Sequence, residues 1–319
     1  MNEAARVMKA TAYLTGWWRL SRAPFLLVGI LPLFLGFVLA WRCGHQGAPA
    51  LYILASLAVI LIMWMTYYLG EWNDLEGDRI NQNSNPFSGG SRVLVEGNLS
   101  PRVALLLGYG CLAGAAFLVV TIFLHYRTGP WTLPLAGIGL LAGFYYSNKP
   151  FQWSHRGIGE VLIGFCYSWL PMATGFYLVA GFFIRQLLLL SLPVGLSIFN
   201  VILINEFPDE EADRAVGKRN LVVRYGKDKM ADLYLGLSVL IGLVLVKVIS
   251  MVPPSPRWLF VLSGVPLLLM AWNFVRMWRE DYRNPGDLHV IARNTLLVNL
   301  SITMILTLQQ TLMESTAGR

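Results

Sequence analysis

Long apolar runs separated by short polar stretches fill almost the whole chain, near 23–41, 51–70, 103–123, 131–146, 157–181, 187–205, 231–250, 257–275 and 290–312. A helix needs about 18 to 25 apolar residues to cross roughly 30 Å of hydrocarbon. The pattern therefore predicts an all-α, polytopic membrane protein of about nine transmembrane helices. No polar segment is long enough to bury a core of its own. Residues 1–319 read as a single membrane domain, with 1–22 a cytoplasmic N-terminal segment and 313–319 a short tail.

Composition agrees. The chain is 55% apolar and only 13% charged, with a mean hydropathy of +0.55, whereas soluble domains carry about 25% charge. Arg6, Lys9, Arg19 and Arg22 precede the first run without a small-residue cleavage site, so that run reads as a retained span and not a removed signal peptide. The net charge of +7 is unevenly spread. With the N-terminus inside, 19 Lys and Arg fall on one side, Arg42, Arg127, Arg185, Arg257 and Arg319 on the other, and Lys247 within a span. That asymmetry fits a lipid bilayer with its basic loops in the cytoplasm, and no nucleic-acid partner. Three scattered cysteines and four scattered histidines suggest neither a disulfide framework nor a structural zinc or haem site.

The chemistry is concentrated where two apolar runs end. GEWNDLEGDRIN (70–81) and NEFPDEEADRAVGKR (205–219) both contain ExxDxExDR. Glu71, Asp74, Glu76, Asp78 and Arg79 match Glu206, Asp209, Glu211, Asp213 and Arg214 at a constant offset of 135. On a continuous helix, positions i, i+3 and i+7 lie within about 60° of one another and i+5 is turned by about 140°. Each copy thus presents a triplet, Glu71/Asp74/Asp78 and Glu206/Asp209/Asp213, with Glu76 and Glu211 pointing away. Acid runs are usually solvated faces, but two in the same register at the same mouth repel unless a cation lies between them. Mg²⁺ typically takes one or two carboxylates together with phosphates and water. Two facing triplets suggest a diphosphate bridged by Mg²⁺.

Other polar groups gather nearby. Ser88, Gly89, Gly90, Ser91 and Arg92 could converge on an anion, and Lys218 and Arg219 are the basic residues closest to the second triplet. Tyr145 and Lys149 lie four apart in YYSNKP, a spacing that shares a helix face if the helix lasts that far. Trp64, Tyr67, Tyr68, Phe165, Tyr167, Trp169 and Phe199 serve as packing, as interfacial belt, or as walls of a tunnel for an apolar chain.

Taken together these residues resemble the UbiA superfamily of intramembrane aromatic prenyltransferases. The likeness covers nearly the whole chain: Arg22 before the first span in RLSRAPF, acidic motifs closing the second and sixth spans, and a YxxxK, Tyr145 and Lys149, between the fourth and fifth. The family's NDxxDxxxD falls on Gly70, Glu71, Asp74 and Asp78, followed by the family-like Arg79, Ile80 and Asn81, with Gly for Asn and Glu for Asp as departures. Its DxxxD falls on Asp209 and Asp213, with Glu206 an additional acid. The string DRAVGKRNLVVRYG is most similar to the 1,4-dihydroxy-2-naphthoate polyprenyltransferase branch of menaquinone synthesis.

The resemblance implies helices around a central cavity capped by cytoplasmic loops, in the bacterial inner membrane. It implies Mg²⁺-dependent transfer of a polyprenyl group from an allylic diphosphate to an aromatic quinone precursor. Glu71, Asp74, Asp78, Glu206, Asp209 and Asp213 would hold two Mg²⁺ ions. Lys149, Tyr145, Arg92, Lys218 and Arg219 would grip the diphosphate, and Arg22 and Asn81 complete the substrate site. 4-Hydroxybenzoate or homogentisate remain possible acceptors. A transporter remains a rival reading, although its sites sit near the midplane and these acids lie at one end. A non-catalytic carrier or an assembly protein remains another, although neither needs matched acid triplets.

Overall fold

The computed structural model describes residues 13, 15–85, 88–251 and 257–312. The expected tail at 313–319, the N-terminal Arg6 and Lys9, and Pro86 and Phe87 of the glycine-rich loop lie outside them. Among the described residues the architecture is helical throughout, as the apolar pattern predicts. The helices are α1 (Leu27–Arg42), α2 (Pro49–Asn73), α3 (Leu75–Ile80), α4 (Pro101–Tyr126), α5 (Thr132–Ser147), α6 (Gly159–Cys166) and α7 (Trp169–Ala180). They continue as α8 (Arg185–Asn205), α9 (Glu210–Ala215), α10 (Leu221–Tyr225), α11 (Lys227–Ser250), α12 (Arg257–Trp278) and α13 (Pro285–Leu312).

Eight helical segments have the length and apolarity of a membrane span, and α5, with 16 residues, is a shorter ninth. At 1.5 Å per residue α5 reaches about 24 Å. Two boundaries differ from the hydropathy reading. The first span begins earlier, at Thr15, and passes through a left-handed turn at Arg22 (φ 45°) and a 3₁₀ turn at Ala23–Leu26 into α1. Residues 15–22 are therefore part of the bundle and not a free segment. The fifth span breaks into α6 and α7 at Tyr167–Ser168. Pro171 explains the break: it has no N–H for the Tyr167 carbonyl and its ring crowds that carbonyl.

Small residues set the closest helix contacts. A Cβ on Gly36 of α1 would stand 2.1 Å from the Met172 carbonyl oxygen, and one on Gly175 of α7 would stand 2.3 Å from that of Leu33. Backbones that close are characteristic of membrane helix pairs joined through glycine. The largest buried cluster joins α1, α7, α8, α11, α12 and α13 through residues such as Leu35, Phe176, Val194, Leu245 and Ile302. A second cluster joins α2, α4 and the loop after α3 through Met65, Leu69, Val93 and Ala104. Between these halves lie the cavities.

Candidate active site

Each acidic motif is built the same way, as a spanning helix, a break, and a short helix. α2 stops at Asn73, Asp74 (φ −88°, ψ 0°) caps it and begins α3; α8 stops at Asn205, and Asp209 (φ −89°, ψ −5°) begins α9. The short helices 75–80 and 210–215 carry the same offset of 135 as the acids. The second spanning helix ends earlier because Pro208 cannot donate to the Ile204 carbonyl. The continuous helix assumed from the sequence is thus broken in both copies. The choice of face survives, since Glu76 and Glu211 are exposed whereas Asp78 and Asp213 are buried.

The two ends meet. Asn81, from the first motif, donates through Nδ2 to Asp209 Oδ1 at 2.7 Å, and the Gly89 N–H donates to Asp209 Oδ2 at 3.0 Å. Lys218 Nζ stands 3.0 Å from Asp74 Oδ1 and 3.1 Å from Asp213 Oδ1, so one cation spans both motifs. Asn220 donates to Asp213 Oδ2 at 2.8 Å and caps α10 by accepting the Val223 N–H at 2.9 Å. His155 Nε2 lies 3.9 Å from Asp74 Oδ1. Gly90 closes over Asp78: at φ +71° a Cβ there would come 2.2 Å from Asp78 Oδ2, so only glycine fits.

Charge in this cluster is unevenly held. Burial, then the charges of Asp74 and Glu71, push the Asp78 carboxyl up to about 7. Burial and Asp213 push Asp209 up to about 6, and burial raises Asp213 although Lys218 opposes it. Asp74 goes the other way: burial acts upward, but Lys218 and His155 bring it down to about 2. Lys218, although burial opposes it, is held charged above its ordinary range by Asp74 and Asp213.

These groups line a cavity of about 230 Å³, whose walls include Arg22, Asp74, Asp78, Asp209, Asp213 and Lys218. A second cavity of about 100 Å³, walled by apolar side chains of α2, α4, α5 and α7, shares Thr66, Tyr146, Ile163 and Tyr167 with the first. A charged mouth thus opens onto an apolar sleeve.

Not every expected residue reaches that mouth. Glu71 lines it, but its oxygens are engaged by Arg22 (3.0 Å), the Ser91 N–H (2.6 Å) and the Ser91 hydroxyl (2.8 Å). Glu206 is turned toward Glu160, a second buried carboxyl. Arg92 hydrogen-bonds the carbonyls of Asp78 and Asn81 and so braces the loop beneath the site. The glycine-rich loop spends two of its amides on motif carboxylates, those of Gly89 and Ser91. Tyr145 packs among Phe144, Phe151 and Trp153, and Lys149 is exposed. The cavity is lined instead by Tyr146, since a step of about 100° on α5 exchanges one tyrosine for the other. Arg219 is exposed, and its backbone, bonded to the His155 carbonyl and to Arg224, fixes the loop that presents Lys218.

Sequence reasoning passed over Tyr146, His155, Glu160, Asn205 and Asn220. Glu160 left a signal, a lone carboxylate opening an apolar run; the others are single polar residues whose role arises only from packing.

No three acidic, histidine or cysteine side chains among the described residues converge as a ready-made metal cage. Carboxylates from two motifs around a shared ammonium, with three of them pushed upward by burial or by like charge, nonetheless form a donor set suited to a hard cation. Mg²⁺ needs only one or two carboxylates when phosphate and water complete its shell.

The profile of the UbiA prenyltransferase family matches residues 12–295. The chain belongs to the UbiA prenyltransferase family. Among UbiA-type relatives, the 2-carboxy-1,4-naphthoquinone phytyltransferase of Synechocystis sp. is 25% identical, over 92% of this chain and 94% of that protein. The 1,4-dihydroxy-2-naphthoate octaprenyltransferase of Escherichia coli is also 25% identical, over 92% and 96%. A UbiA homologue from Archaeoglobus fulgidus, solved bound to GPP and Mg²⁺, superposes with a TM-score of 0.61 at 16% identity, covering 91% of this chain and 99% of that one. The chain is an integral membrane protein with the UbiA fold.

Proposed function

We propose that this prenyltransferase moves a polyprenyl group from an allylic diphosphate to 1,4-dihydroxy-2-naphthoate, with Mg²⁺, at the cytoplasmic face of the inner membrane. The observation that carries this reading is the junction of the two acidic motifs through Lys218 at the mouth of an apolar sleeve. The naphthoate acceptor is supported by relatives bearing that activity in their names, and the diphosphate by the GPP and Mg²⁺ bound to the archaeal homologue.

Asp74, Asp78, Asp209 and Asp213 would hold the metal, two carboxylates from each motif. When bound, Mg²⁺ supplies Lewis-acid neutralisation of a departing diphosphate. The protein's own groups do the rest. Lys218 and Arg22 present fixed positive charge to the anionic head, Asn81 and Gly89 orient Asp209, and Ser91 with Arg22 fixes Glu71 as an anchor of the loop. The apolar sleeve takes the polyprenyl tail and excludes water, so that an allylic cation meets the aromatic ring before it meets a hydroxide. The ring faces of Tyr146 and Tyr167, at the junction, are placed to stabilise passing positive charge.

The test is incubation of purified protein with polyprenyl diphosphates and a panel of acceptors, 1,4-dihydroxy-2-naphthoate, 4-hydroxybenzoate and homogentisate, read by product mass and pyrophosphate release. Mg²⁺-dependent product with the naphthoate alone is expected. Product with another acceptor overturns the acceptor, and tight diphosphate binding without product from any of them overturns the reaction.

A further inference from the structure

The glycine-rich loop closes on both acidic motifs, yet its own backbone does not favour the shape it takes. Gly89, Gly90, Arg92 and Gly97 have positive φ, at 74°, 71°, 64° and 72°, and an arginine in the left-handed region is uncommon and costs free energy. Among the described residues no helix lies between Ile80 and Pro101 to hold this stretch in place.

The grip comes from outside the loop, from residues 15–22 at the start of the first span. Leu20 is fully buried in one cluster with Val93 and Leu94. Arg19 beside it makes three hydrogen bonds to the loop. Its Nη1 and Nη2 donate to the two oxygens of Glu96 at 2.7 and 2.9 Å, and Nη2 also donates to the Ser91 carbonyl at 2.8 Å. Glu96 is steadied in turn by Asn98, which donates to its Oε2 at 2.9 Å. Ser91 is thus held from both sides. Arg19 takes its carbonyl, while its N–H and hydroxyl go to Glu71, which Arg22 holds at 3.0 Å. Two residues before Ser91, Gly89 donates to Asp209 at 3.0 Å, and Gly90 between them lies against Asp78. A shift at Ser91 therefore reaches one carboxylate of each motif within two peptide units. An exposed ion pair usually holds little, and the side chains of Arg19 and Glu96 are 41% and 42% exposed. The geometry here adds to it: two parallel bonds from guanidinium to carboxylate are directional, and the third bond fixes backbone.

We propose that Arg19, locked by Glu96, is a positioning residue of the active site: it fixes Ser91 and so keeps Gly89 on Asp209 and Gly90 over Asp78. Its effect on turnover rests on the prenyl-transfer reading; its effect on the loop does not. Arg19 is not among the walls of either cavity, so it acts only through the loop. Contacts that orient metal ligands in this way are typically worth about 10- to 100-fold in metal affinity or activity.

The experiment uses the full chain in detergent and compares wild type with Arg19→Ala, Arg19→Lys and Glu96→Gln. Arg283→Ala is the control, at an exposed arginine paired with Glu280 at 2.7 Å on the turn between α12 and α13. In metal-free protein the amides of 88–92 should exchange with deuterium about tenfold faster in Arg19→Ala. With geranyl diphosphate and 1,4-dihydroxy-2-naphthoate, the Mg²⁺ concentration for half-maximal pyrophosphate release should rise about tenfold or more. Arg19→Lys, which keeps the charge and loses the paired bonds, should fall between the two. Glu96→Gln should move both readouts in the same direction, and it decides the matter if Arg19→Ala does not fold. Arg283→Ala should match wild type. Unchanged exchange at 88–92, or faster exchange with an unchanged Mg²⁺ requirement, would overturn the positioning role, as would equal shifts in Arg283→Ala. Wild type that prenylates no acceptor would strike the transfer reading instead, and the exchange rates would still decide whether Arg19 holds the loop.

Discussion

Lys218 decides how the site behaves when no metal is present. Its ammonium neutralises Asp74 and Asp213 but leaves Asp78 and Asp209 to be held protonated, at about 7 and about 6. Both values lie above the ordinary carboxylate 3.8, so between pH 3.8 and 7 the folded protein binds more protons than the unfolded chain. Stability from these two groups therefore falls as pH rises through that window. Asp74, lowered to about 2, is ionised in both states above about pH 5, so it opposes this slope only below that pH and adds none between pH 5.5 and 8. Metal-free protein should melt lower at pH 8 than at pH 5.5, and added Mg²⁺ should raise the melting temperature more at pH 8, where the ligands are charged. A melting temperature independent of both pH and Mg²⁺ would contradict the assignment. By the same logic Asp74→Asn and Asp209→Asn should each cut turnover by about a thousandfold, the several kcal/mol expected of metal-assisted departure. Exposed Glu76→Gln should stay near wild type; activity assays on matched, expressed variants check both.

Between residue and molecule, the repeated element explains what could be read in advance. The 135-residue offset located α3 and α9 because both copies keep the acids on a short helix after a break. The break itself was hidden: the i, i+3, i+7 argument assumes one helix, and it picked the correct face only because the near-helical conformations of Asp74 and Asp209 turn the chain without reversing it. The hydroxyl that reaches the cavity from α5 was misread by one residue, because YY offers two tyrosines a third of a turn apart and only packing chooses Tyr146. Glu71 shows the same limit, since spacing identified it as an acid of the site but could not reveal Ser91 and Arg22 already holding it. Helix contacts were likewise invisible in hydropathy. Gly36 and Gly175 bring α1 and α7 to backbone contact, and a side chain there has nowhere to go. Gly175→Leu should destabilise the protein by about 1 to 3 kcal/mol or more, as overpacking does, seen as a lower melting temperature in detergent. Gly264→Ala, at a glycine with open space around it, should not; an equal drop in both would mean that close packing is not the cause.

At the scale of the whole molecule, the charged site and the basic loops share one end of the bundle. Lys218, Arg22, Arg156, Arg224 and Lys227 cluster with the acidic motifs, while Arg42, Arg127 and Arg185 mark the opposite end. Translocation disfavours short basic loops, and the asymmetry therefore supports the proposed cytoplasmic placement of the site, where the proposed diphosphate donor could present its anionic head without crossing the bilayer. Cys43 offers a direct reading, because it is exposed at the far end of α1, whereas Cys111 is buried and Cys166 half-buried among apolar helices. In right-side-out vesicles a membrane-impermeant maleimide should label Cys43, and should not label a cysteine placed at exposed Glu211 in a Cys43→Ser background. Inverted vesicles should reverse the two. Labelling of Glu211→Cys from outside would put the acidic mouth on the side opposite to the proposed one, and the proposed diphosphate donor would then have to arrive from beyond the cell.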